Sequence, residues 1–216
     1  MKPILFNTSM VRAILDGEKT CTRRIIKKEI PEGYEPLGFV LYPTDDKELG
    51  NLVFGGKGAN VYYAKPPYKV GDVLYVRETW NINPSWEFDK NYINLPSKES
   101  KYIYKATNDF NGGWKPSIHM PKEAARIFLK VTSVRAERLK DITDEGCYQE
   151  GISGTSFYDE AEHIQIAGIG LNDSLERATF GLLWNSTVKE DKYSWEGNPW
   201  VWVIEFEVEN KGGRNK

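Results

Sequence analysis

The apolar residues of this chain occur in short runs, and that pattern limits its possible folds more than any other feature. Roughly five to seven runs have the alternating spacing of β-strands, and about three have the spacing of short helices. Because the strands do not alternate regularly with long helices, a doubly wound parallel sheet is not expected. The pattern favours an α+β fold: a small mixed β-barrel with short flanking helices and inserted loops.

Charge and composition exclude several classes of protein. The 216 residues include 29 lysines and arginines against 31 acidic residues, so the net charge of −2 argues against a protein coated in positive charge. The two cysteines and two histidines lack metal-ligand or disulfide spacing, so no metal or cofactor is expected. No apolar run approaches the roughly 20 residues of a membrane span, and the N-terminus lacks a signal-peptide pattern. A cytoplasmic protein without membrane contact is predicted.

One domain is expected over residues 1–209, with insertions near 31–66, 82–101 and 152–173 and a disordered polar tail at 210–216. The first insertion is rich in Pro, Gly and Tyr and is expected to hold scattered short strands at best, and the third is expected to be a loop or a further insertion. Between the insertions the spacing predicts, in chain order, a helix with the apolar positions Met10, Val11, Ile14 and Leu15, strands at 20–26, 73–76, 102–106 and 125–135, helices at 143–150 and 175–184, and a strand at 200–208.

A dense group of basic side chains follows the first predicted helix. Gly17 is placed to end that helix, and residues 19–28 then contain five basic side chains and no acid. Strand alternation puts Thr22 and Arg24 on one face of the next strand. Lys19 reaches the same side only if it belongs to the turn after Gly17. Cys21 faces away from Thr22 and is not expected to be a nucleophile.

Two interpretations of this segment stand side by side. It is either a solvated strand edge, where lysines guard against aggregation, or a site for an anion or nucleotide. In the second interpretation Arg24 grips a phosphate in a forked geometry, and the hydroxyls of Thr20 and Thr22 add contacts next to Arg23.

The run from Ile14 to Arg24 resembles the opening motif of ASCH domains, a helix followed by Gly-x-Lys-Thr-x-Thr-x-Arg. Later segments resemble the family's other elements in the same order: Val70–Leu74, Ala125–Val131, Asp141–Gly151 and Trp200–Phe206. The segments Val-Arg-Glu-Thr-Trp, Pro-Ser-Ile-His-Met-Pro and Asn-Pro-Trp-Val-Trp-Val-Ile are similar to those of a subgroup common in phages and prophages. The resemblance spans nearly the whole chain apart from the insertions, and it implies a PUA-like barrel.

The resemblance also implies a function. It indicates a module that binds RNA or a modified nucleoside or nucleotide in a cleft. Some small members look like amidohydrolases of N4-acetylcytidine, and their catalytic Lys, Thr and Glu fall on Lys19, Thr22 and Glu150. In that alternative Thr22 is the nucleophile, Lys19 the base and Glu150 an acid/base or orienting group. Other members are reported as ribonucleases; without a carboxylate cluster for two metals, that alternative is metal-independent here.

Glu150 is expected near the C-terminal end of the second predicted helix, where the helix dipole disfavours an anion. That position calls for a compensating cation such as Lys19. It is also expected to raise the pKa of the Glu150 carboxyl towards the range of a general acid. The alternative is a solvated glutamate at a helix end.

Four more residues complete the predicted binding set. Glu78 and Trp80 leave a core strand together, and Trp80 either stacks on a base at the cleft rim or packs in the core. The loop that carries Trp114 and His119 is a candidate to close over the site. His119 is alternatively a loop histidine without a chemical role.

Overall fold

A computed structural model of the chain describes residues 1–42, 46–58, 60–88, 100–153, 155–166 and 174–209. The described residues form a mixed α+β structure, as predicted. The strands are β1 (Lys2–Leu5), β2 (Cys21–Ile25), β3 (Glu35–Phe39), β4 (Leu52–Gly55), β5 (Val61–Ala64), β6 (Val73–Arg77), β7 (Trp80–Ile82), β8 (Tyr102–Tyr104), β9 (Phe128–Arg138) and β10 (Trp200–Val208). The α-helices are α1 (Thr8–Leu15), α2 (Pro84–Phe88), α3 (Asp144–Gln149), α4 (Phe157–Ile166) and α5 (Leu175–Asn185). Within these ranges, no helix combines the length and apolar character of a membrane span.

The chain divides into two compact units, and each is discontinuous in sequence. The first consists of Met1–Glu18, Val73–Lys130 and Val208–Lys216, and the second of Lys19–Asp72 and Val131–Glu207. No closed barrel is found among the described strands, so the predicted barrel stays a prediction. The predicted tail at 210–216 lies outside the described residues.

In the first unit, β1 pairs parallel with β6, and β6 pairs antiparallel with the first residues of β9. Strands β7 and β8 form a separate antiparallel pair. Helix α1 is capped by Asn7, whose side chain accepts a hydrogen bond from the backbone N–H of Met10 at 2.9 Å. The chain leaves the helix through Gly17, whose φ of +79° lies in the left-handed region that favours glycine. The predicted helix stop is therefore confirmed.

In the second unit, β2 pairs antiparallel with β10, from Cys21 opposite Glu205 to Ile25 opposite Val201. Strand β10 lies between β2 and β9. Its first five residues, 200–204, are all buried, so both faces of the strand are covered. Helix α3 is capped by Thr143, whose hydroxyl accepts from the N–H of Gly146 at 3.1 Å, as predicted.

Two of the predicted insertions contain more regular structure than expected. Residues 31–66 hold an antiparallel sheet in the order β3-β4-β5, rather than scattered strands. Residues 152–173 were predicted as a loop or insertion without a helix, but in their described part α4 forms and packs against α5. Packing on a neighbouring helix stabilises a segment whose own apolar pattern is weak. Within 82–101, α2 is a single short helix, and residues 89–99 lie outside the described part.

Candidate functional site

The basic segment of β2 lies beside the end of α3 in the second unit. The backbone N–H of Thr20 donates to the carbonyl of Gln149 at 2.9 Å, which ties the start of β2 to the last turn of α3. Glu150 is the C-cap residue of α3 and directly follows Gln149, and Lys19 directly precedes Thr20. This backbone contact brings together two residues that are 131 positions apart in the chain.

Lys19 and Glu150 form a buried ion pair. The Lys19 ammonium donates to Glu150 Oε2 at 2.6 Å and to the Glu150 backbone carbonyl at 2.7 Å. The two side chains are only 1% and 7% exposed. Lys19 precedes β2 and follows the turn at Gly17, so strand alternation does not fix its direction. The pair supplies each buried ion with the partner it needs.

Arg23 links two carboxylates on the same side of the strand. Its Nη1 donates to Glu150 Oε1 at 3.2 Å, and its Nε and Nη2 donate to Glu137 Oε1 at 3.0 and 2.7 Å. The guanidinium also lies 5.8 Å from the centroid of the Phe180 ring. Burial opposes the charge of Arg23, but Glu150 and Glu137 outweigh it and raise the pKa above its ordinary value. Arg23 is a structural centre of the site, in addition to its predicted place in the binding set.

The charges continue to the surface in alternating sign. Glu137 contacts Arg135 on the same strand at 3.4 Å, and Arg135 in turn pairs with Glu205. Arg135 is 46% exposed, whereas Arg23 is 3% exposed. The series therefore runs from a dry interior to water in the order Lys19, Glu150, Arg23, Glu137, Arg135, Glu205.

The expected rise in the pKa of Glu150 is wrong. Burial on its own would raise the pKa of this carboxyl, but Lys19, Arg23 and Arg24 lower it further than burial raises it. The net result is a pKa below the ordinary value, because three cations counter both the burial and the helix end. Near neutral pH, Glu150 is a carboxylate that accepts hydrogen bonds.

Thr22 and Arg24 belong to the opposite face of β2. Thr22 is buried and lies opposite Ile204, and Arg24 lies opposite Trp202 in the β2–β10 register. Arg24 lines a pocket of about 390 Å³ together with Tyr68 and Trp202. Burial lowers the pKa of Arg24, while Glu150 and Tyr68 act in the opposite direction. The guanidinium nonetheless stays protonated at any physiological pH.

The two cysteines of the second unit are buried thiols. Cys21 accepts a weak contact from Arg23 Nη1 at 3.6 Å, and Cys147 is buried within α3. Burial, together with Glu150, raises the pKa of Cys21 to about 12. Burial likewise raises the pKa of Cys147 to about 12. Neither thiol is a nucleophile at neutral pH.

Four predicted ligand residues lie in the first unit. Glu78 is 1% exposed, and its two oxygens accept from Nε and Nη2 of Arg126 at 2.9 Å each in a forked pair. Trp80 is buried with Met120 and Ala124, which matches the core alternative. The remaining two are Trp114, half-buried and edge-on to Phe110 at 5.6 Å, and His119, exposed in a short 3-10 turn.

Comparison with known proteins does not identify a relative. No family model, no curated protein and no solved structure matches the chain. The described residues also contain no group of three or more His, Cys, Asp or Glu that could hold a metal ion. The site is therefore interpreted from its own geometry.

Sequence reasoning missed Glu137, Tyr68 and Trp202. No local signal marks Glu137, because its partner Arg23 lies 114 residues earlier in the chain. Trp202 could have been placed beside Arg24 only with knowledge of the β2–β10 register. Tyr68 follows β5 in a segment that carried only a weak pattern.

Proposed function

We propose that this protein is an ASCH-type module with a PUA-like barrel that binds RNA or a modified nucleoside or nucleotide. The proposed cleft is lined by Lys19, Thr22, Arg24 and Glu150. The observation that carries the proposal is the buried Lys19–Glu150–Arg23 network, on whose carboxylate the charge of Arg24 also acts from the other face of β2. The motif resemblance at residues 14–24 and 141–151 supports it independently of that geometry.

The chemistry of these side chains suits a nucleobase and its phosphate. An ammonium donates and a carboxylate accepts, and a base presents donors and acceptors side by side along its edge. The guanidinium of Arg24 matches a phosphate in a planar fork. Held by α3 and by Arg23, the Lys19–Glu150 pair is fixed before any ligand arrives, which lowers the ordering penalty on binding.

The Lys19–Glu150 contact also favours a second candidate function, the hydrolysis of N4-acetylcytidine. The hydroxyl of Thr22 would attack the acetyl carbonyl and release cytidine, and water would then cleave the acyl ester to give acetate. Lys19, as its neutral amine, would take the hydroxyl proton and pass it to the departing N4 of cytidine, and Glu150 would orient it. The ionised state of Glu150 suits an orienting group rather than an acid.

Binding is tested by calorimetry with cytidine 5′-monophosphate and N4-acetylcytidine 5′-monophosphate. Arg24→Gln is expected to weaken binding of at least one nucleotide by roughly tenfold, because a charge-assisted hydrogen bond contributes about 1.5–3 kcal/mol. The control is Lys57→Gln, which removes one exposed charge outside the proposed cleft. Equal affinities for Arg24→Gln and the control, with both variants folded, would contradict the proposed site.

Turnover is tested by following release of acetate from N4-acetylcytidine. Thr22→Val removes the hydroxyl but keeps the side-chain volume, and it is expected to abolish release. The matched control is Thr132→Val, since Thr132 is an exposed residue of β9 outside the proposed cleft. Equal rates for Thr22→Val and the wild type rule out the hydrolase and leave the binding proposal to its own test.

A further inference from the structure

Two adjoining pockets lie beyond the end of β2 in the second unit. The first is the pocket of about 390 Å³ beside Arg24, and the second has a volume of about 550 Å³. Both are lined by the segment Ile26–Lys28, which therefore separates them. We call the two pockets and this segment the basic groove.

The basic groove is positively charged although the chain as a whole is not. Its lining contains six basic side chains and one acid, Glu29, in a protein whose net charge is −2. The basic residues are Arg24, Lys27, Lys28, Lys65, Arg138 and Lys192. Lys27, Lys28 and Lys65 are exposed and make no ion pair within the described part of the chain. Lys192, by contrast, lies 3.4 Å from Glu190. The three exposed lysines concentrate positive charge that attracts a polyanion.

Aromatic rings accompany the charges in each pocket. Tyr68 lines the first pocket, and Tyr62 and Tyr193 line the second; all three are half-buried. The Lys192 ammonium lies 4.9 Å from the centroid of the Tyr193 ring. A simple anion needs only the positive charges, whereas a nucleic-acid strand also offers flat bases that stack on aromatic side chains. The pairing of charge with rings therefore favours a nucleic acid.

We infer that the basic groove binds a single-stranded RNA segment. The backbone phosphates lie against Lys27 and Lys28, and one base enters each pocket on either side. The inference rests on the proposed function in its RNA-binding form: the cleft at Lys19 and Glu150 receives the selected base, and the groove holds the strand that carries it. A single strand fits better than a duplex, because bases must be unstacked from their partners to enter pockets.

The charge of the groove is tested with fluorescein-labelled single-stranded RNA of ten cytidines, followed by anisotropy between 50 and 300 mM salt. The double variant Lys27→Gln, Lys28→Gln is expected to bind roughly tenfold more weakly. Its slope of log affinity against log salt is expected to fall by about 1.4, since each lost phosphate contact on a single strand removes about 0.7. The matched control, Lys57→Gln with Lys189→Gln, removes the same charge outside the groove and is expected to change neither quantity.

The aromatic part is tested with Tyr62→Leu and Tyr193→Leu, which keep apolar volume but remove the rings. Each is expected to weaken RNA binding by roughly tenfold, the loss of one stacked base, with the salt slope unchanged. If both variants bind RNA as the wild type does, or if inorganic polyphosphate competes as well as RNA, the groove recognises charge alone and the inference falls.

Uncharged N4-acetylcytidine separates this inference from the proposed function. The lysine double variant is expected to bind the nucleoside as the wild type does, because the groove holds phosphates. Weak RNA binding by the lysine variant, with no nucleoside binding by any form, supports the groove and rejects the cleft. Normal RNA binding by the lysine variant rejects the groove, whether or not the nucleoside binds.

Discussion

At the scale of single residues, Arg23 is the residue on which most of the site's charges depend. It neutralises Glu150 and Glu137 at once, and it is itself almost completely buried. Removing one member of a buried ion network leaves the others charged and without solvent, which is more damaging than never having buried them. The network therefore behaves as one unit, and replacing its central cation, Arg23, is expected to destabilise the protein most.

Arg23→Met is expected to lower the free energy of unfolding by about 3–5 kcal/mol, because it removes the buried cation shared by Glu150 and Glu137 and leaves each acid with a single ion partner, Lys19 and Arg135 respectively. Arg135→Met is the matched control, since Arg135 is 46% exposed and pairs with Glu137 and Glu205 at the surface. Its expected loss is about 0–1 kcal/mol. Urea unfolding followed by tryptophan fluorescence measures both values. Similar losses for the two variants would show that the buried network does not act as described.

At the scale of elements, local signals predicted the parts that position the site. The apolar spacing and the glycine stop predicted α1, and the Thr143 cap predicted α3. Alternating apolar residues predicted β10 at its observed bounds. These elements depend on short-range chemistry: caps, turns and periodicity. The position of Glu150 at the end of α3 followed from the same signals.

Elements that depend on distant partners were not predicted. Helix α4 needs the surface of α5, and the sheet β3-β4-β5 consists of strands of four or five residues whose side chains are largely exposed or half-buried. The direction of the pKa shift of Glu150 was missed for the same reason. The end of the helix could be predicted from the sequence. Two of the three cations that lower the pKa of Glu150 are close to it only because β2 lies against α3.

At the scale of the whole molecule, the net charge of −2 conceals two local arrangements. One is the buried series of alternating ions, and the other is the basic groove. The net charge shows whether the whole surface is strongly positive or negative, but it does not reveal a local cluster of six basic side chains. The boundary between the two compact units also falls inside two strands, after Lys130 in β9 and before Val208 in β10.

The stability of the molecule is expected to fall in acid through Glu150. Its pKa in the folded protein lies below its ordinary value of 4.5, so the unfolded chain binds a proton first as the pH falls. The stabilisation is present above pH 4.5 and is lost as the pH drops through the lower folded value. Urea unfolding at pH 7, 5, 4 and 3 measures this loss. Glu150→Gln is expected to show a flatter dependence over the same range, and an equally steep one would contradict the assignment.

The two thiols beside the ion network have a consequence for solution measurements. Disulfide reagents react with the thiolate, and a pKa of about 12 leaves almost none of it at neutral pH while Cys21 and Cys147 stay covered. Modification by such a reagent therefore waits for β2 or α3 to open. The rate at which the reagent modifies Cys21 and Cys147 therefore reports how often this region opens, with no cysteine introduced by mutation.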